Sequence, residues 1–520
     1  MKRVPLIFTC LLVLALNLSY AGDDYARISG WDFVNWKAGE ATWDIFQRTF
    51  IGVRDDDPMD HAHWALYEPQ ISNKAHCFGM CLLSLAILKE DGHLGFCRPV
   101  CVYSGDFTKP KPFSGPDNPD LADAILMMNG HQFGHGMFNW IAEKFASGDI
   151  RNAMMAYNDV EYYLSMGDLP LISIIKEPGK GHAMVPYRCE KVNSNTWRIY
   201  VYDPNSPYRI CSQYYDSDSN YIRIDKIAGG YSWSFLRDTQ RWPPNTWWSG
   251  MSTTGKSAIF AYPYSLVLQP QRNPFELGAV LEDLNEFFVS GGGCITQIID
   301  QRGKRFYKTD ADDNPLESEI EDDPRMRMNN IMSFPYVGDA GEDLPDAYII
   351  KDHTGDDLKI DVESRGESYQ FYLTGGGRLI KVEAQPSPAG QDRLRIHKVN
   401  TRSEELSIES QRGSVTFSVE LHRPLATAEA SRTFKISNVR VTATSPIHLR
   451  LTEDLDALLI KSKKETVVCD LEITQTIGTE ISKLEKKNIN VSAAEWQKVS
   501  PSNWTKLKDA KIEVKQVESK

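Results

Sequence analysis

Three short stretches of this chain carry groups that could together attack a carbonyl. The first is Asn73-Lys74-Ala75-His76-Cys77-Phe78-Gly79-Met80-Cys81, directly before an apolar run. Cys81, Leu82, Leu85 and Leu88 fall on one face at helical spacing, which predicts a helix from Cys77 to about Asp91-Gly92. A cysteine at a helix N-terminus meets unsatisfied backbone N–H groups and the positive end of the helix dipole. Both favour the thiolate, the form that attacks a carbonyl. Gly79 beside it would let a substrate or another backbone approach closely.

The second stretch is Gly179-Lys180-Gly181-His182-Ala183-Met184-Val185, a glycine-flanked turn that delivers a histidine to the start of an apolar strand. Such a histidine could take the thiol proton and return it to a leaving group. The third is Val201-Tyr202-Asp203-Pro204-Asn205, at the end of the next strand. A carboxylate or amide there could hold the imidazole in the tautomer the reaction needs. If 183–192 and 196–202 form a hairpin, Asp203 returns to the sheet end near His182. Asn205 is the rival orienting residue.

Cysteine, then histidine on a strand, then Asp or Asn on the neighbouring strand resembles the papain-like cysteine peptidase superfamily, including its bacterial members of the bacteriocin-processing type. The resemblance rests on the Cys-Phe-Gly-Met helix start, the Gly-His-Ala strand and the Tyr-Asp-Pro-Asn strand end, and covers about residues 60–265. It implies that Cys77 is the nucleophile, His182 its base and Asp203 the orienting group. It also implies an oxyanion-hole glutamine six residues before the nucleophile, where this chain has Ile71. Gln70 and Asn73 are the nearby amides, and the Cys77 backbone N–H would be the second donor.

Each of these residues also has a structural reading. Cys77 could be a packed thiol or pair with Cys81, and Cys81 itself belongs with the apolar core. His76 could tune the nucleophile or stand in solvent. His182 could be a core histidine, and Asp203 could cap the turn at Pro204. His131 and His135 lie four apart, as metal ligands on a helix would, but lack the glutamate of a metalloprotease motif; Asp60, His61 and His63 make no better site. Asp310, Asp312, Asn314 and Glu321 match four positions of a calcium loop, but Pro315 stands where glycine is needed, so a solvated acidic loop is expected. Trp233, Trp242, Trp247 and Trp248 could wall a cleft or pack beneath a loop. No metal and no cofactor is expected.

The elements that must position these groups change character along the chain. Aromatic and polar residues dominate 22–70, an irregular lead-in containing Trp31, Phe33, Trp36, Trp43, Phe46 and Trp64. Helical patterns follow to about 165, then strands at Leu169–Ile175, Ala183–Val192, Thr196–Tyr202 and Ser257–Tyr262, with Asn193-Ser194-Asn195 as a hairpin turn. Helices first and antiparallel strands second predict an α+β domain over 22–267. From 268 to 476 period-two alternation predicts one or two β-sandwich modules of immunoglobulin-like type. A Lys-rich segment occupies 477–520, partly disordered by expectation.

Lys2 and Arg3, the apolar run Leu6–Leu18 and Ser19-Tyr20-Ala21 predict a signal peptide over 1–21, cut after Ala21. The mature chain is then secreted or periplasmic and has no membrane-spanning segment. Its formal charge goes from −12 to −14 when Lys2 and Arg3 leave. An acidic chain without a basic cluster excludes nucleic acid and anionic membrane as natural partners. Cysteines 77, 81, 97, 101, 189, 211, 294 and 469 remain. Cys97 could bridge to Cys101, and Cys189 and Cys211 flank one strand region.

The reading that follows is an exported cysteine hydrolase of peptide or related amide bonds, with a peptide or protein substrate and β modules that engage a surface or protein partner. The alternatives are a silent papain-fold binding protein and a transglutaminase-like acyl transferase.

Overall fold

A computed structural model describes residues 29–517 apart from 38, 73, 104–114, 148, 178–179, 206–219, 237–247, 252–256, 277–283, 302, 304, 310–314, 317–330, 334–337, 340–345, 352–354 and 426–429. The expected signal peptide, Asn73, Cys211, Trp242, Trp247 and the acidic positions Asp310, Asp312, Asn314 and Glu321 lie outside the described residues. The chain forms two compact units. One comprises 1–54, 67–274 and 335–344; the other comprises 55–66, 275–334 and 345–520.

The first unit is α+β, helices before strands, as its patterns predict. The helices are α1 (Trp43–Thr49), α2 (Pro58–Ile71, whose last turns belong here), α3 (Cys77–Glu90), α4 (Pro119–Gly130), α5 (His135–Ser147), α6 (Ala153–Met166) and α7 (Tyr264–Leu268). Asn118 and Asn152 cap α4 and α6, each accepting two backbone N–H groups that the first turn cannot use itself. Helix α3 is buried on all sides from Cys77 to Ile87, the state expected of a helix that is apolar around its whole circumference. It ends where Asp91 turns left-handed and its N–H returns to Ile87 O.

The strands are β1 (Pro170–Glu177), β2 (Lys180–Lys191), β3 (Thr196–Tyr202), β4 (Tyr221–Ile227), β5 (Gly230–Leu236), β6 (Trp248–Met251) and β7 (Ala258–Pro263). They form one antiparallel sheet in the order β6-β5-β4-β3-β2-β1-β7, and the short strand Gly338–Asp339 pairs with β2 at Lys180–Gly181. Helix α6 covers one face, burying Ala156, Tyr157 and Val160 against Ile172, Ile174, Met184, Ile199 and Trp233. Trp233 therefore packs beneath a helix instead of walling a cleft.

In the second unit, every described strand from Leu284 to Val517 belongs to one hydrogen-bonded network. Two long strands, Leu284–Asp300 and Leu358–Gly375, pair along most of their length. From residues 369–375 one antiparallel ladder runs through Arg378–Ala384, Val415–Pro424, Ala430–Val441, Val467–Ile477 and Glu480–Val491. From residues 358–364 another runs through Gly390–His397, Glu405–Ser410, Ile447–Leu451, Leu458–Ser462, Trp496–Pro501 and Ile512–Val517. Alternate residues of both ladders, such as Phe371, Val382, Phe417 and Ile436 with Ile360, Leu394, Ile408 and Ile460, share one core.

The β region is one continuous network. The expectation of a partly disordered Lys-rich segment is corrected, since 480–491, 496–501 and 512–517 are strands of that network. Glu480–Val491 pairs with Val467–Ile477 and is largely exposed.

Candidate active site

The site forms where β2 parts from β3. Pairing between these strands begins at Val185 with Tyr202, so the β2 edge at Ala183 is open to another element. Helix α3 takes that place. The Ala183 N–H donates to Cys77 Sγ at 3.4 Å, and the Ala183 carbonyl accepts from Cys81 Sγ at 3.6 Å. Two thiols one helical turn apart thus satisfy both polar groups of a buried strand residue. Cys77 is 1% exposed, and Cys81 is fully buried.

His182, the residue before Ala183, reaches Asp203 beyond the end of β3. Its Nε2–H donates to Asp203 Oδ1 at 2.8 Å, since an ionised carboxylate only accepts. The Asn205 side-chain amide lies 3.2 Å from the same Nε2, and the Asn205 backbone N–H donates to Asp203 Oδ1 at 2.9 Å. The Asn205 amide nitrogen is itself a donor, so the Nε2–H is given to Asp203, which also holds the shorter contact. Asn205 thereby fixes the carboxylate through its own backbone.

Burial by itself would drive the His182 imidazolium down. The charge of Asp203, then that of Cys77, and hydrogen bonds to both side chains outweigh it and hold the group up at about 9. With Nε2 given to Asp203, the other ring nitrogen is left for the thiol. Burial, then the charges of Cys77 and Asp203, push the Cys81 thiol well above its ordinary value, so Cys81 is a core residue.

Helix α3 is fixed closely against α4. A Cβ on Gly79 would clash with the Ile125 carbonyl oxygen and stand 2.7 Å from the Asn129 nitrogen. The Gly79 N–H donates to Asn129 Oδ1 at 3.1 Å. The backbone that this glycine admits is that of α4, and the contact holds the first turn that presents Cys77.

Of the two oxyanion candidates, only Gln70 is described. It is buried at the end of α2, and its Nε2 has no hydrogen-bond partner among the described residues. His76 is buried, not in solvent, with its ring edge-on to Trp36 at 4.7 Å.

The other readings resolve structurally. His131 Nδ1 bonds to the Val267 carbonyl and His135 Nδ1 accepts from the Arg272 N–H, so backbone contacts hold both rings. Burial lowers His131 to about 4. Among the described residues no group of three or more His, Cys, Asp or Glu could hold a metal. Cys97 and Cys101 are both free thiols, as are Cys77, Cys81, Cys189 and Cys469.

The lead-in, which no sequence motif ties to the site, braces it. Trp31 donates from its indole to Met80 O at 2.9 Å and from its backbone to Tyr202 Oη at 3.1 Å. Asn35 accepts from the His76 N–H at 2.7 Å and donates its own N–H to Pro204 O at 3.1 Å. The density of aromatics at Trp31, Phe33 and Trp36 is the signal the sequence offers for this role. Against known proteins, no family model, no curated protein and no solved structure matches this chain.

Proposed function

We propose that the first unit is a papain-like cysteine hydrolase of peptide or related amide bonds. The observation that carries this reading is the connected series Asp203, His182, Cys77. A buried carboxylate holds the imidazole through Nε2, and the charge and hydrogen bond of Cys77 act on the same ring. With His182 held as imidazolium, the thiol proton already rests on the ring; Cys77 Sγ would add to the carbonyl carbon, and the C=O π electrons move to oxygen. Collapse breaks the C–N bond, and the departing amine takes the proton from His182. Water, deprotonated by His182, then cleaves the thioester and restores the thiol. The Cys77 backbone N–H and a side-chain amide would receive the oxyanion. Gln70 is the better supported amide, because its buried donor is unspent.

The burial of Cys77, at 1% exposure, favours a second reading, in which the same contacts are a packed network in a domain that binds without hydrolysis. Iodoacetamide labelling with site mapping separates the two. The hydrolase reading requires Cys77 to react faster at neutral pH than the exposed thiol of Cys97. A Cys77 rate at or below that of Cys97 favours the binding protein. Acyl transfer in place of hydrolysis would show as ammonia release with an added amine. In this proposal the chain is exported after cleavage at Ala21, and the β network engages a protein or surface partner.

A further inference from the structure

We propose that Asn35 is a positioning residue that sets the separation between the nucleophile's helix and the turn that carries the base's partner. The inference rests on the hydrolase reading and extends it to a segment outside the triad. Cys77 and His182 come from elements that share no hairpin or short loop: one opens α3 and the other lies on β2. Their distance therefore depends on what joins the two layers.

Residues 31–37 do so twice. Trp31 links Met80 in α3 to Tyr202 at the end of β3. Asn35 links the His76 N–H, one residue before Cys77, to the Pro204 carbonyl, one residue after Asp203. An isolated antiparallel bridge between Lys37 and Ala75 keeps the segment in register with the approach to Cys77. The two Asn35 contacts stand next to the two ends of the triad. The Asn35 Oδ1 also supplies an acceptor to the His76 N–H at the helix start, where no side chain of His76 itself caps the helix.

The side-chain half of this link can be removed without cutting the chain. Asn35→Ala deletes the acceptor, whereas Asn35→Asp keeps it. Three readouts apply to wild type and both variants: the iodoacetamide rate at Cys77 across pH, with Cys97 as internal reference; the His182 imidazole titration by NMR; and the melting temperature. Asn35→Ala should slow labelling of Cys77 about tenfold, in line with the cost of misplacing reacting groups. It should also lower the His182 midpoint, because Cys77 contributes to holding that group up. The Cys97 rate should stay constant, and Asn35→Asp should restore most of the Cys77 rate. An unchanged His182 midpoint in Asn35→Ala, or equal damage from Asn35→Asp, would overturn the assignment. If wild-type Cys77 reacts no faster than Cys97, the hydrolase reading falls, and the His182 midpoint still decides for or against Asn35.

Discussion

His182 Nε2 lies 2.8 Å from Asp203 Oδ1, and their side chains are 8% and 0% exposed. The contact joins the start of β2 to the end of β3 because the antiparallel register folds residue 203 back beside residue 182. In so dry a place a charged hydrogen bond is strong, and the loss of either partner strands the other.

The roles within the triad predict unequal losses in turnover of a substrate found by screening. Cys77→Ala removes the covalent route and His182→Ala the proton shuttle, so each should abolish turnover. Asp203→Asn keeps the size of the side chain but loses the charge that stabilises imidazolium, and should cost about a thousandfold or more. Asn205→Ala should cost far less, because its backbone N–H to Asp203 survives the substitution. Near-silence of Asp203→Asn with severe loss in Asn205→Ala would reverse the two assignments. Full activity in Cys77→Ala would end the mechanism.

Stability should respond to pH through His182. Its pKa is raised from 6.5 to about 9 in the fold, which amounts to roughly 3 kcal/mol of linked stability. A raised pKa contributes fully below about 6.5 and loses that contribution as pH climbs through about 9. The stability gap between wild type and His182→Gln, measured by urea unfolding, should therefore narrow from pH 6 to pH 10. A gap that stays constant or widens over that range would show that the fold does not favour the imidazolium.

Gly79→Ala should destabilise the first unit, because a Cβ there meets backbone atoms of α4 that cannot rotate away. Overpacking of this kind costs about 1–3 kcal/mol. Calorimetry or chemical unfolding measures it, and a neutral result would show that α3 and α4 can separate freely. The same variant should label more slowly at Cys77, since it disturbs the first turn of the helix.

The export expectation rests on Lys2-Arg3, the apolar run and Ser19-Tyr20-Ala21. Protein recovered outside the cytoplasm should begin at Gly22 or close to it. N-terminal sequencing that finds Met1 in that fraction would exclude cleavage.

The sequence by itself determined the local elements and the order of the reactive groups. Apolar spacing marked α3 from Cys77 to Glu90, Asn193-Ser194-Asn195 marked the hairpin between β2 and β3, and period-two alternation marked the β network. These signals are short-range, since periodicity and turn chemistry are written within a few residues of where they act. Only the tertiary structure decided what met what. Ala183 between two thiols, Asn35 between His76 and Pro204, and Gly79 against Ile125 join residues dozens of positions apart or more. The burial of His76 and the recruitment of 480–517 into the sheet follow from the same cause. Whether a polar residue faces solvent or a partner depends on which distant surface covers it, and no local pattern carries that information.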